Sequence, residues 1–199
     1  MPALRTTEAG GLAYWRQHVA AVVEAVEAAA PDQPPALVGH SGAGVLLPAV
    51  RAALRRPVAG YVFVDAGLPS DSKSRLDLFD DPVAAAEFRR SARNGLLPTW
   101  TDEDLAEEIL DPALRRRFVA ELQPLPLAVY EELIPVFDGW PDAPCGYIQF
   151  SPVYDAPAAE ARAAGWPMIQ VPGTHFEMMR NPTTVTEALL RLKEELSRP

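Results

Sequence analysis

The stretch Leu37–Gly44, which reads LVGHSGAG, decides how this chain is folded. It begins inside the short apolar run Ala36–Val38 and precedes Val45–Leu54, where apolar residues recur at helical spacing. The apolar run predicts a buried strand, the glycines predict a tight turn, and the three- and four-residue spacing predicts a helix. The sequence therefore predicts a strand, a sharp turn and a helix in direct succession.

Ser41 is the lone serine at the tip of this turn. A hydroxyl there is lifted clear of the sheet, and the backbone N–H of Gly42 and the helix N-terminus face the place where an oxyanion would form. Gly39, Gly42 and Ala43 keep the turn small. We interpret Ser41 as a nucleophile and Gly42 as an oxyanion-hole donor. The alternative is a plain turn or a phosphate-binding loop, which is disfavoured because no lysine follows the glycines.

A nucleophilic serine needs a base, and the chain has three histidines. His18 lies on the polar edge of the predicted amphipathic helix Tyr14–Ala30, where we expect a solvated surface side chain. His40 adjoins Ser41, but adjacent residues of a turn point apart, so it is predicted to shape the rim of a substrate pocket. His175 follows a buried strand at the same sheet edge as Ser41, and it is the preferred general base.

The acid that orients the base is expected at the end of another strand. Asp155 follows the predicted strand Gly146–Phe150 and a short turn, and Asp65 directly follows the predicted strand Val58–Val64. Both keep the chain order serine, aspartate, histidine that accompanies a serine on such a turn. Asp155 is preferred because its strand is the one just before the histidine strand, and Asp65 is the alternative acid. Either carboxylate could instead cap a helix or a turn.

Helices and strands alternate along the chain, which predicts an α/β fold with a mostly parallel sheet flanked by helices. The stretch from about residue 68 to 144 differs, because it holds helix starts at Asp81, Thr101–Asp104 and Asp111 and no convincing strand. We interpret it as a helical lid insertion within a single domain that spans residues 1–199. Large apolar side chains of this insertion are predicted to line the substrate pocket, and these are Trp100, Phe118, Leu125 and Trp140.

Composition narrows the function classes. The 199 residues carry a net charge of −9, which argues against nucleic acid or an anionic membrane as a partner. The single Cys145 cannot form an internal disulfide, and one cysteine with three histidines cannot supply a zinc cluster of the usual type, so no cofactor or metal is expected. The chain shows no run of eighteen apolar residues and no secretory signal, which predicts a soluble cytoplasmic protein with a small-molecule substrate.

Taken together, these motifs resemble the α/β-hydrolase family, and in particular its small actinobacterial type. The resemblance rests on LVGHSGAG, on the strand ending Phe63–Asp65, on the helical insertion, on Tyr154–Asp155, and on Gly165–Phe176 around the histidine. It covers the chain from about Tyr14 to the C-terminus. It implies Ser41 as nucleophile, His175 as base and Asp155 as acid.

The chain departs from the family pattern at its start. Family members carry several strands before the helix that leads into the serine strand, whereas only about 13 residues precede that helix here. Met1–Leu4 could be the tail of one such strand, so the fold is predicted to be N-terminally shortened. The loop that gives the second oxyanion N–H is then missing, at an expected cost of about 10²–10³ in rate.

Three functions follow as hypotheses. The first is a serine hydrolase that cleaves a small ester or thioester through a Ser-His-Asp triad. The second is a non-hydrolytic enzyme of the same fold, a cyclase or lyase of small-molecule biosynthesis that uses His175 as a proton-transfer base. The third is a catalytically inactive fold that acts as a binding or partner module, and it predicts a homo-oligomer formed through an exposed sheet edge.

Overall fold

The computed structural model describes residues 12–29, 33–79 and 81–198. Within them, the longer strands are β1 (Ala36–Ser41), β2 (Gly60–Ala66) and β5 (Cys145–Gln149), and three shorter ones are β3 (Leu96–Leu97), β4 (Leu125–Pro126) and β6 (Met168–Gln170). The α-helices are α1 (Tyr14–Ala29), α2 (Leu47–Ala53), α3 (Pro82–Arg90), α4 (Pro112–Glu121), α5 (Ala128–Glu131), α6 (Asp155–Ala163), α7 (Glu177–Arg180) and α8 (Pro182–Leu196). Short 3₁₀ turns occupy Gly44–Leu46, Leu76–Leu78 and Pro152–Tyr154.

Four of these strands form one parallel sheet in the order β1-β2-β5-β6. Every residue of β2 and β5 is buried, which explains why both read as continuous apolar runs. Because the strands are parallel, their carboxyl ends meet at one edge of the sheet, where Ser41 of β1 is aligned with Ala66 of β2. The predicted fold, a parallel sheet flanked by helices, is confirmed.

Side chains on the two faces of the sheet pack against different helices. Phe63 of β2 joins a cluster that includes Val19 of α1 and Val50 of α2. Val62, its neighbour in β2, faces the other way and packs with Leu192 of α8. This alternation follows from the two-residue period of a strand, and it buries the sheet between two helical layers.

The stretch 68–144 holds the helices α3, α4 and α5 among turns and irregular segments, and two of its predicted helix starts are confirmed, whereas Thr101–Asp104 leads only into turns. Asp81 accepts the N–H of Val83 at the start of α3, and Asp111 accepts the N–H groups of Ala113 and Leu114 at the start of α4. The expectation of no strand is wrong, because β3 and β4 pair antiparallel. Each has two residues, too few to leave an alternating pattern in the sequence.

The strand predicted at Met1–Leu4 lies outside the described residues.

Candidate active site

The sharp turn after β1 holds Ser41 in a left-handed conformation with φ of +55°. A serine rarely adopts this conformation, which costs about 1–3 kcal/mol and is typical of functional sites. The turn closes through a hydrogen bond from the Ala43 N–H to the His40 carbonyl at 3.0 Å. Its crowding explains two of the glycines: a Cβ on Gly39 would lie 2.9 Å from the Cα of Gly44, and one on Gly44 would lie 2.6 Å from a backbone oxygen.

Gly42, the residue after Ser41, presents an available backbone donor. Its N–H has no hydrogen-bond partner in the part of the chain that the structure describes. Its carbonyl accepts the Arg75 Nε–H at 3.1 Å, which fixes the orientation of this peptide unit. The turn therefore offers a free N–H beside the Ser41 hydroxyl, where an oxyanion could be bound.

Asp65, at the end of β2, contacts the imidazole of His175. The Nδ1 atom of His175 lies 2.8 Å from Oδ2 of Asp65, whose side chain is fully buried. A carboxylate can only accept, so Nδ1 carries the hydrogen and Nε2 keeps a free lone pair. Asp65 itself has a positive φ of +41°, as a short polar residue can.

Three further donors hold the Asp65 carboxylate. The N–H groups of Phe150 and Ser151 reach Oδ1 at 2.9 and 3.0 Å, and the Ser151 hydroxyl donates to Oδ2 at 2.7 Å. Burial by itself raises the pKa of Asp65, but the hydrogen bonds from His175, Ser151 and Phe150 outweigh it and bring this pKa below its usual value. Asp65 is therefore an ionised carboxylate in contact with the Nδ1–H of His175.

The loop that carries His175 is fixed by the buried carboxylate of Glu177. Glu177 accepts the Thr174 N–H at 3.2 Å and an amide hydrogen of Asn181. A Cβ on Gly173 would overlap this carboxylate, so the loop closes tightly only with glycine there. Phe176, next to His175, packs into the insertion with Leu105 and Ile109.

Two rings stack on the imidazole of His175. The His40 ring lies 4.4 Å away, centroid to centroid, at an interplanar angle of 28°, and the Tyr154 ring lies 5.1 Å away at 17°. His40 also donates its Nε2–H to the backbone carbonyl of His175 at 2.9 Å. Burial, followed by the nearby His175, lowers the pKa of His40 to about 4, so His40 is neutral at pH 7.

Tyr154 links His175 to Ser41. The Tyr154 hydroxyl lies 3.1 Å from the Ser41 Oγ, while the Tyr154 ring covers the imidazole. Burial raises the pKa of Tyr154, and the hydrogen bond to Ser41 offsets part of this effect, so the phenol is protonated. The serine hydroxyl is therefore hydrogen-bonded to Tyr154, and no hydrogen bond joins it to the imidazole.

A cavity of about 800 Å³ opens beside Ser41. The turn Ser41–Ala43, α1 and the insertion all contribute to its lining. The polar side chains in the lining, apart from Ser41, are His18, Arg75, Glu121, Gln123 and Tyr130, and the larger aliphatic ones are Val22, Leu46, Leu122, Leu125 and Val129.

The family is decided by a sequence comparison over almost the whole chain. The sequence model described as the alpha/beta hydrolase family matches residues 4–188. The chain belongs to the alpha/beta hydrolase family. No curated protein matches this hydrolase sequence significantly.

Solved structures of similar fold are α/β hydrolases and related enzymes. An extracellular α/β-hydrolase from a Paenibacillus species is 19 % identical, with a TM-score of 0.66 over 93 % of this chain and 80 % of that chain. Tomato methylketone synthase I is 15 % identical, with a TM-score of 0.64 over 92 % and 79 %. A pyrethroid hydrolase from Sphingobium faniae JZ-2 is 18 % identical, with a TM-score of 0.62 over 95 % and 83 %. At these identities the likeness shows the fold.

In this α/β hydrolase, Asp155 does not contact His175, contrary to the preferred assignment. The Gln149 side-chain amide donates to Asp155 Oδ1 at 2.6 Å, and Asp155 begins α6. The 3₁₀ turn Pro152–Tyr154 separates Asp155 from the end of β5. Asp65, the alternative acid, is the aspartate that contacts His175. The residue after β5 whose side chain contacts Asp65 is Ser151.

His18 is buried, so the expectation of a solvated surface side chain is wrong. The insertion covers this side of α1, and Arg75 and Glu132 of the insertion both lie close enough to act on the charge of His18. Burial, then Arg75, lowers the pKa of His18. His18 therefore lines the cavity as a neutral side chain.

The aromatic residues expected around the substrate lie in different places. Trp140 packs against Tyr61 and Phe63 of β2 and is not part of the lining of the cavity beside Ser41, so the cavity does not support its predicted role in binding substrate. Trp100 and Phe118 both contact Phe176, beside His175, and Leu125 lines the cavity. His40 is directed at His175 instead of the pocket rim.

Three residues of the site were missed from the sequence: Tyr154, Ser151 and Arg75. Tyr154 and Ser151 are within four residues of Asp155. The end of β5 does contribute to the site, as expected, but through these two residues and not through Asp155. Arg75 lies in a polar stretch of the insertion without any motif, and nothing in the sequence singles it out.

The described residues contain no group of three or more His, Cys, Asp or Glu side chains arranged to hold a metal ion. In the same part of the chain, no helix is both long enough and apolar enough to cross a membrane.

Proposed function

We propose that this chain is a serine hydrolase that cleaves a small ester or thioester, with Ser41 as nucleophile, His175 as general base and Asp65 as the acid. The observation that carries the proposal is the 2.8 Å contact between His175 Nδ1 and Asp65 at the sheet edge where Ser41 has a positive φ. The proposal keeps the roles expected for Ser41 and His175 and gives Asp65 the role first given to Asp155.

The chemistry is acyl transfer in two steps. Asp65 fixes the Nδ1–H tautomer, so His175 Nε2 can take the Ser41 proton as Oγ attacks the substrate carbonyl. The Gly42 N–H binds the oxyanion that forms. His175 then protonates the leaving alcohol or thiol, and a water molecule hydrolyses the acyl-enzyme by the same sequence.

Ser41 must change partner before it attacks. Its hydroxyl is hydrogen-bonded to Tyr154 in the resting site, and rotation about one side-chain bond redirects Oγ. Catalytic hydrogen bonds of this kind often form only once substrate is bound. Tyr154 therefore holds the resting nucleophile beside the base without ionising it.

The cavity supports a small substrate with an apolar portion. Its aliphatic lining includes Leu125 and Val129, which belong to the insertion, so the insertion acts as the lid of the site. Similar structures are named as a pyrethroid hydrolase and a polyneuridine aldehyde esterase, which supports ester cleavage as the reaction class.

A fluorophosphonate probe tests the proposal directly. We expect it to label the folded protein at Ser41, to fail on the variant S41A, and to be blocked by prior incubation with a short-chain thioester. The variant S70A, at a serine of the insertion far along the chain from Ser41, is the matched control and should label like the parent. Absence of labelling alongside a reactive control hydrolase would overturn the proposal.

The hydrogen bond between Ser41 and Tyr154 favours one second candidate. With the serine bonded elsewhere, His175 Nε2 is free to act directly on a substrate proton, as a cyclase or lyase requires. In that case S41A keeps most of the turnover and H175A loses it. If both variants lose turnover, acyl transfer through Ser41 is favoured.

A further inference from the structure

Arg75 reaches from the insertion to the peptide that follows the nucleophile. Its Nε–H donates to the Gly42 carbonyl at 3.1 Å, and its Nη1 donates to the Val129 carbonyl at 2.8 Å. Both acceptors are neutral backbone groups, and they hold the guanidinium in the wall of the cavity beside Ser41. The third nitrogen, Nη2, has no hydrogen-bond partner among the described residues.

No carboxylate of the described chain forms an ion pair with Arg75. The charge of Glu132 acts on Arg75, but the two oxygens of Glu132 accept the N–H groups of Tyr14 and Trp15 at 2.6 and 2.9 Å. That carboxylate therefore compensates the positive N-terminus of α1. Glu121, also in the cavity wall, pairs with Arg117 at 2.8 Å.

The cavity thus carries one largely buried positive charge that forms no ion pair with any described residue. His18 adds no charge, because burial and Arg75 lower its pKa. A buried charge without a partner is costly, and guanidinium groups bind carboxylates through two parallel hydrogen bonds. An anion that entered the cavity would find Nη2 available and the remaining wall mostly aliphatic.

We propose that Arg75 binds a carboxylate of the substrate, and that the substrate is a monoester or monothioester of a short dicarboxylic acid. This inference rests on the proposed function, since it places the carboxylate relative to a carbonyl attacked by Ser41. Because Arg75 contacts the residue after Ser41, the carboxylate lies a few bonds from the scissile carbonyl. The methylene groups between them pack on the aliphatic wall.

The test compares two esters of equal chain length, monoethyl glutarate and ethyl valerate. We expect the ratio of their kcat/KM values, charged over neutral, to fall about 10- to 100-fold in R75Q. R75K, which keeps the charge, retains more of the preference. R90Q is the matched control, because it removes the same charge from an exposed pair with Glu87 on α3, outside the cavity lining, and it should leave the ratio unchanged. An unchanged ratio in R75Q, or an equal fall in R90Q, would overturn the inference.

A measurement on the parent protein guards against misfolding of R75Q, whose side chain also holds two backbone carbonyls. Glutarate should inhibit ethyl valerate hydrolysis competitively, and uncharged glutaramide at the same concentration should not. Equal inhibition by both compounds contradicts a role for Arg75 in binding an anion.

Failure of the inference can be told apart from failure of the proposed function. If fluorophosphonate labels Ser41 and ethyl valerate is cleaved without a charge preference, the hydrolase stands and the Arg75 site is refuted. If no ester is cleaved and Ser41 is not labelled, the hydrolase is refuted. In that case calorimetry of glutarate binding tests the anion site. Glutarate should bind the parent at least tenfold more tightly than R75Q, and a smaller difference refutes the site.

Discussion

Asp65 Oδ2 and His175 Nδ1 lie 2.8 Å apart, although 110 positions separate the two residues in the sequence. The proposed acid is thus supplied by β2, the strand hydrogen-bonded to the one that ends in Ser41. The next strand, β5, supplies Ser151 and the Phe150 backbone to hold the acid in place. Two strand ends therefore cooperate to present one carboxylate to the histidine.

D65N tests the acid, with D155N as its matched control. Asparagine keeps the size of the side chain but removes the charge that stabilises His175 in the charged form, so kcat should fall about 10³- to 10⁴-fold. D155N removes an equivalent charge that bonds Gln149, and kcat should stay within a few-fold of the parent. Steady-state kinetics with ethyl valerate measures both. A larger loss in D155N than in D65N would return the role to Asp155.

The sequence predicts where the strands end, but it does not predict which residue at a strand end contacts His175. Glycine spacing and apolar runs, which are local properties, predict the sharp turn at Ser41, the loop that carries His175 and the parallel sheet. In the sequence both Asp65 and Asp155 follow apolar runs, and the choice depends on the three-residue turn before Asp155, after which its side chain bonds Gln149 instead of His175. The burial of His18 likewise depends on how the insertion folds back over α1, and no local pattern encodes it.

Y154F tests whether the Tyr154 hydroxyl restrains the resting nucleophile. Phenylalanine keeps the ring stacked on His175 and removes the hydrogen bond to Ser41, a bond worth about 0.5–1.5 kcal/mol net. Fluorophosphonate should therefore label Ser41 about 2- to 10-fold faster. Y61F removes a tyrosine hydroxyl that bonds Asp142 away from the site, and its labelling rate should match the parent. Labelling more than tenfold slower in Y154F would instead make the hydroxyl a participant in the reaction.

S151A tests how the acid is held. The Ser151 hydroxyl donates to ionised Asp65 at 2.7 Å in a buried setting, so its loss should lower the unfolding free energy by about 1.5–3 kcal/mol at pH 7. The pKa of Asp65 is depressed in the folded protein, so its stabilising contribution is present above the ordinary carboxyl pKa and is lost as pH falls through the folded pKa.

The difference in unfolding free energy between S151A and the parent should therefore shrink in acid, as denaturant titrations at several pH values would show. S72A is a suitable control, because its hydroxyl bonds an exposed aspartate at the surface and its removal should change the unfolding free energy little. A S151A deficit that stays constant into acid would mean that the hydroxyl does not act on the Asp65 charge.

H40Q tests the neutral state of the ring that stacks on His175. The pKa of His40 is about 4 in the folded protein against 6.5 as a free side chain. Between these pH values His40 is protonated in the unfolded chain and neutral in the folded chain. The unfolding free energy must then fall as pH falls from 6.5 towards 4, by about 1–3 kcal/mol from this residue. Glutamine does not titrate, and its amide can still donate to the His175 carbonyl. The gap in unfolding free energy between parent and H40Q should therefore move in favour of H40Q across this window and stay constant above pH 7.5; a gap independent of pH would show that His40 is not held neutral by its surroundings.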